Sequence, residues 1–154
     1  MSKVYSLKAT QVIPISLAEA WLFFSDPANL QTITPAKLGF KIISVHHGKV
    51  MYPGQIIEYK IRPVLNFPLY WMTEITHVSD KKYFIDEQRF GPYSLWHHQH
   101  HFREVEAGVE MIDIIHYKLP MWILGDLANT LFVKNKLKEI FDFRFSEVQR
   151  LFVR

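Results

Sequence analysis

Residues 90–102 read FGPYSLWHHQHHF, and four of the chain's eight histidines stand at positions 97, 98, 100 and 101. Imidazole changes charge near neutral pH and is a common metal ligand, so the cluster is a candidate for acid–base catalysis, metal binding or pH sensing. Its chemistry depends on which rings face the same space. In a strand, successive side chains point to opposite faces. Trp96, His98, His100 and Phe102 then share one face, and His97, Gln99, His101 and Arg103 the other. The first set carries both large rings and is expected to face inward; the second is expected to be solvated. Only His98 and His100 can then act together inside the protein.

Neighbouring segments offer partners. In 82–90, Glu87 and Arg89 share a face, which turns Phe84, Asp86 and Gln88 inward. In 109–119, hydrophobicity does not choose between Met111, Asp113, Ile115 and Tyr117 and the opposing Ile112, Ile114, His116 and Lys118. Trp71, Thr73 and Ile75, with Ile57, Tyr59 and Ile61, complete an inward lining. His77 and His116 are expected on the strand surface, and His46-His47 at a hairpin end.

Several chemistries are excluded. The absence of cysteine removes disulfides, thiolate catalysis and Cys-based zinc sites. There is no Gly-x-Ser-x-Gly elbow and no glycine-rich phosphate loop. A net charge of +3 without a Lys/Arg run gives no footprint for nucleic acid. The N-terminus alternates polar and apolar residues rather than forming a signal peptide. No stretch reaches about 18 uninterrupted apolar residues, so no integral membrane segment is expected, and the expected location is the cytoplasm.

The elements that must hold the histidines can be read from periodicity and breakers. At 154 residues the chain suits a single domain spanning 1–154. Aromatics reach 15%, with twelve Phe, seven Tyr and four Trp, which implies a bulky core or a large apolar pocket. Residues 3–13 alternate as a strand. Ser16 and Glu19 then form a capping box before the short helix LAEAWLFFSD, and a second helical turn, PANLQTI, comes next. Strands are predicted at 40–47, 55–62, 69–78, 82–90, 94–104 and 109–119, separated by Gly and Pro turns that suit consecutive antiparallel hairpins. After Pro120, residues Leu124, Leu127, Leu131, Leu137, Ile140, Phe141, Phe145 and Val148 form one apolar stripe. A helix from Gly125 to Leu151 would be about 40 Å long. The class is α+β. One helix laid across a wide, curled sheet leaves space beneath it, lined by alternate strand residues.

These residues resemble a known superfamily. The run Phe84-x-Asp86-Glu87-Gln88-x-x-Gly91-Pro92-Tyr93-x-x-Trp96-x-His98-x-His100-x-Phe102, with Trp71, Asp113-x-x-x-Tyr117, Leu119-Pro120 and Ile140-Phe141-x-x-Arg144, is similar to the START-like, Bet v 1-like (SRPBCC) proteins. Within them it resembles the bacterial ligand-binding branch grouped with polyketide cyclases, dehydrases and lipid-transport proteins. The resemblance covers essentially the whole chain. It implies a helix-grip fold, in which a curved seven-stranded antiparallel sheet wraps a long C-terminal helix around a hydrophobic pocket, with two short helices after the first strand. It also turns Asp113 and Tyr117 toward that pocket. Some cyclases of the superfamily use a pocket Arg, for which no position here is matched.

The expected ligand-binding set is therefore Tyr59, Trp71, Phe84, Asp86, Gln88, Tyr93, Trp96, His98, His100, Phe102, Asp113 and Tyr117. Its polar members read either as a satisfied structural network or as anchors for a ligand's polar end. A metal reading joins His98 and His100 to Asp113, but no third partner is fixed, and neither metal nor cofactor is expected. The leading expectation is non-catalytic binding of a small hydrophobic molecule such as a lipid, a quinone or a polyketide-like compound. A cyclase or dehydratase would use His98, His100 and Asp113 as acid–base groups. An interaction module with a vestigial pocket would instead use the sheet edge or the apolar 121–124 segment. Monomer and dimer both remain open.

Overall fold

The computed structural model describes residues 3–44, 50–62 and 67–153, with the backbone alone at 122, 123 and 125. Among the described residues, one antiparallel sheet is built from β1 (Tyr5–Ile13), β2 (Lys41–Ile42), β3 (Gln55–Ile61), β4 (Leu69–Ser79), β5 (Tyr83–Phe90), β6 (Leu95–Val105) and β7 (Gly108–Lys118). The strand order is β1-β7-β6-β5-β4-β3-β2, so β2 to β7 form a meander and β1 closes onto its last strand. Of the strand predicted at 40–47, the ladder takes only Lys41 and Ile42; the expected hairpin end at His46-His47 lies outside the described residues. Register shifts between Met72 and Thr73, and between Ile75 and His77, mark irregularities that bend β4 against β5. The sheet is curved.

Alternation decides the faces. Val109, Met111, Asp113, Ile115 and Tyr117 of β7 are buried, while their intervening neighbours are partly exposed. In β6 the same period buries His98, His100 and Phe102.

Helix α1 (Leu17–Phe24) starts at the predicted capping box: Ser16 Oγ accepts from the Glu19 N–H, and the Glu19 carboxylate accepts from the Ser16 N–H. The box aims Trp21 into the sheet, where it meets Phe84 and Phe102 edge-on at 6.1 and 5.6 Å between ring centres. Two 3₁₀ turns, Pro27–Leu30 and Ala36–Leu38, come after it.

The C-terminal helix departs from the single stripe. It runs as α2 (Trp122–Ala128), a π turn over Asn129–Val133, and α3 (Lys134–Phe152). A π turn inserts an extra residue and so puts the α2 face out of phase with the α3 face. Leu124, Leu127 and Leu131 are accordingly 60%, 55% and 55% exposed, whereas Leu137 and Val148 of α3 are buried. Buried Asn129 pins the turn by accepting a hydrogen bond from the Tyr117 hydroxyl at 2.8 Å. Phe145 is half-exposed beside β1, its carbonyl accepting from Gln11 Nε2 at 3.0 Å. Leu137 packs with Ile115 and Tyr117, and Val148 with Trp21 and Phe84, so α3 spans two separate apolar clusters. No described helix is long and apolar enough to cross a membrane.

The β6–β7 hairpin closes at Gly108, with φ +129°, and a Cβ there would lie 2.1 Å from the Ile13 carbonyl oxygen. Gly54 has φ +88° but open space around it. Gly54→Ala is expected to cost only backbone strain, about 1–3 kcal/mol. Gly108→Ala adds a backbone clash and is expected to cost clearly more in urea denaturation; equal losses would contradict this packing of β1 over the hairpin.

Candidate functional site

Sheet register brings four buried polar side chains together. Asp86 on β5 lies opposite His98 on β6, and His100 lies opposite Asp113 on β7. His98 and His100 stand two residues apart on one face, their ring centres 3.7 Å apart. Each imidazole therefore lies between two carboxylates. Asp113 Oδ1 is 2.9 Å from His98 Nε2 and 2.8 Å from His100 Nδ1. Asp86 Oδ2 is 2.9 Å from His100 Nε2 and 3.6 Å from His98 Nδ1.

Electrostatics distinguishes the two rings. A carboxylate can only accept, and both His100 nitrogens lie within hydrogen-bond distance of one. Burial pulls the His100 imidazole down, but its hydrogen bonds to Asp113 and Asp86 outweigh that and hold its pKa above the ordinary value. Burial also dominates at His98 and, with the adjacent His100 charge, keeps its pKa below the ordinary value despite Asp113. Neutral His98 donates Nε2–H to Asp113 and leaves the Nδ1 lone pair beside Asp86. Burial would raise both carboxyls, yet hydrogen bonds and charge from the histidines hold Asp86 and Asp113 low. Arg144, reaching in from α3, adds to the effect on Asp86. Two carboxylates, one imidazolium and one guanidinium leave the site formally neutral.

Beside this wall lies a cavity of about 130 Å³. Of the residues singled out in the sequence, Tyr59, Trp71, Phe84, Asp86, Trp96, His98, His100 and Asp113 line it. Gln88, Tyr93, Phe102 and Tyr117 face inward but do not line it. Gln88 Nε2 donates to the Tyr93 carbonyl at 2.6 Å and so braces the Gly91-Pro92 turn. Tyr93 packs on Trp71 and Trp96, Phe102 lies under α1, and Tyr117 is held by Asn129. Ile61 is likewise absent from the lining, whereas Ile57, Thr73 and Ile75 belong to it. Rings fill much of the expected pocket: Trp71 meets Trp96 edge-on at 5.4 Å, and Phe84 stacks on His100 at 4.2 Å. Thr73 Oγ1 accepts from Trp71 Nε1 at 3.0 Å and pairs with the Tyr59 hydroxyl, which satisfies the polar tips inside.

Sequence reasoning missed part of the lining. Phe23, Phe24, Leu30 and Ile33 close the cavity from α1 and the turn after it. Arg144 was omitted from the lining as well. It comes after Leu137 and Phe141 at helical spacing and precedes Val148, so a charge interrupting the apolar stripe was the available signal. Its guanidinium carbon lies 5.0 Å from the Phe141 ring centre, and its buried Nε has no hydrogen-bond partner. A second cavity of about 180 Å³, between β1, β7 and α3, shares Met111, Asp113 and Arg144 with the first. On the outer face of β6, His97 pairs with Glu87 at 2.8 Å and His101 with Gln99 at 2.9 Å, away from the cavity.

Removing one partner of a buried ion pair strands the others, at about 3–5 kcal/mol. Asp113→Asn is expected to lose that much in urea denaturation, and a loss under about 1 kcal/mol would contradict the pairing. In the ligand-free protein near pH 7, nitrogen-15 spectra of the rings are expected to show His100 protonated on both nitrogens and His98 on one. A neutral His100 would overturn the assignment.

No family model matches the chain, and no curated protein matches it either. Solved structures do. The ginseng major latex-like protein 151 from Panax ginseng superposes with TM-score 0.70 at 10% identity, over 98% of this chain and 99% of that one. Protein CV1439 from Chromobacterium violaceum gives TM-score 0.73 at 8% identity, over 97% and 99%. TTHA0849 from Thermus thermophilus gives 0.71 at 14% identity, over 95% of both chains. At these identities what is shared is the fold, a helix-grip of seven antiparallel strands around a C-terminal helix.

Proposed function

We propose that the chain binds a small, flat, largely apolar molecule carrying one polar or anionic group, in the cavity between the sheet and α3. The observation that carries this reading is the contrast between the cavity's walls. Tyr59, Trp71, Phe84 and Trp96 supply ring surface, while His98, Asp86 and Arg144 supply a polar wall, and the buried Arg144 Nε–H is left without an acceptor. A buried donor without a partner is costly, and a ligand oxygen would satisfy it. An apolar pocket with a few convergent polar groups is the usual form of a small-molecule site.

Volume narrows the ligand. Drug-sized ligands occupy pockets of about 300–1,000 Å³, whereas a cavity of about 150 Å³ takes benzene. The space beside the histidines suits a single ring. A lipid, quinone or polyketide-like molecule would need the groove beyond Arg144 as well, reached by swinging that side chain aside. The resemblance to the bacterial START-like branch supports the binding role; the size of the cavity favours the smaller end of its ligand classes.

Trp71 and Trp96 make binding visible through intrinsic fluorescence. Metal-free protein titrated with benzoate and with phenol is expected to quench saturably. Charge-assisted hydrogen bonds contribute about 1.5–3 kcal/mol, so Arg144→Gln is expected to weaken benzoate about tenfold or more and phenol far less. Absence of saturable binding by any one-ring compound, with no small molecule retained in native mass spectrometry, would contradict the reading.

A further inference from the structure

We infer that Asp86, His98 and His100 form a site for one divalent transition-metal ion, with Asp113 as the residue that positions both imidazoles. Asp86 Oδ2 lies 3.6 Å from His98 Nδ1 and 2.9 Å from His100 Nε2, and one ligand atom from each of the three residues lies within 4.8 Å of the other two. Each ring turns its other nitrogen away from that point and toward a single acceptor, Asp113 Oδ1, at 2.9 and 2.8 Å. A carboxylate that takes the remote N–H of a ligating imidazole is the usual support of a histidine metal site, because it fixes both tautomer and ring orientation. Here one carboxylate does so for two rings at once.

The dimensions suit an ion. Zinc bonds to imidazole nitrogen and carboxylate oxygen at about 2.0–2.2 Å in a tetrahedron, which puts neighbouring ligand atoms about 3.3–3.6 Å apart. The Asp86–His98 separation of 3.6 Å already meets this, and the Asp86–His100 contact of 2.9 Å must open by roughly half an ångström. Two imidazoles and one carboxylate suit zinc or ferrous iron rather than calcium or magnesium. All three residues line the cavity, which offers room for the remaining coordination positions.

The sequence joined the two histidines to Asp113; the structure substitutes Asp86 as the third ligand and moves Asp113 behind the rings. Arg144 lines the same cavity and opposes an ion there, whereas Asp86 and Asp113 offset it. With both rings neutral, an ion of charge +2 beside Arg144 and two carboxylates leaves one positive charge. The open position would therefore take an anion, such as hydroxide or a carboxylate.

The test is Co²⁺ and Zn²⁺ titration of the full chain after chelation, read by calorimetry and by the visible spectrum of the Co²⁺ form. The expected result is one ion per chain. Asp86→Asn should weaken binding at least 100-fold, and Asp113→Asn about 10–100-fold through lost orientation. His97→Gln with His101→Gln, on the outer face, should leave the affinity unchanged. X-ray absorption of the wild-type zinc form, which requires no variant to fold, should show two imidazoles and a carboxylate. Stoichiometric failure to bind, binding that survives Asp86→Asn, or fewer than two imidazoles would overturn the site. Because benzoate binding is measured on metal-free protein, either result stands apart from the other.

Discussion

Asp113, buried on β7, accepts from His98 and His100 of β6, and Asp86 on β5 contacts the far side of both rings. Three adjacent strands are thus cross-linked through side chains in their middle, where a sheet is ordinarily apolar. Burying four such groups is tolerable only because each charge has an opposite charge within hydrogen-bond distance. The constraint also fixes register: a one-residue slip of β6 would send His98 and His100 outward and bring His97, Gln99 and His101 in.

The polar patch and the cavity share residues. Apolar clusters form on either side of it, one around Trp21, Phe84 and Phe102 and another around Tyr59 and Trp71. Helix α3 meets the sheet at Leu137 and Val148 and carries Arg144 between them. Arg144, Asp86 and Asp113 all line the cavity that lies between these contacts.

Much of this was legible in the sequence, for identifiable reasons. The Gly and Pro turns bounding 94–104 and 109–119 gave both strands, and the two rings flanking His98 and His100 gave their face. Asp113 was not decided by hydrophobicity, because Met111 and Ile115 balance Ile112 and Ile114; only the family resemblance turned it inward. Face parity also cannot say what lies above a residue. Phe102 and Tyr117 point the right way but sit beneath α1 and Asn129, and Gln88 is spent on a turn. The π turn at 129–133 was invisible as a period, so Leu124, Leu127 and Leu131 were placed on a stripe from which it removes them. The pairing of Asp86 with His98 required the β5–β6 register, which no residue pattern states.

We propose that the His98–Asp113–His100–Asp86 wall and Arg144 form the polar end of a ligand cavity. A crystal structure of the protein grown with benzoate tests it most directly. One ring of density is expected between Trp71 and Phe84, with its carboxylate within hydrogen-bond distance of Arg144 Nε. A collapsed cavity, with the Trp71 and Trp96 rings in that space and Arg144 Nε bonded to a protein carbonyl, would contradict it.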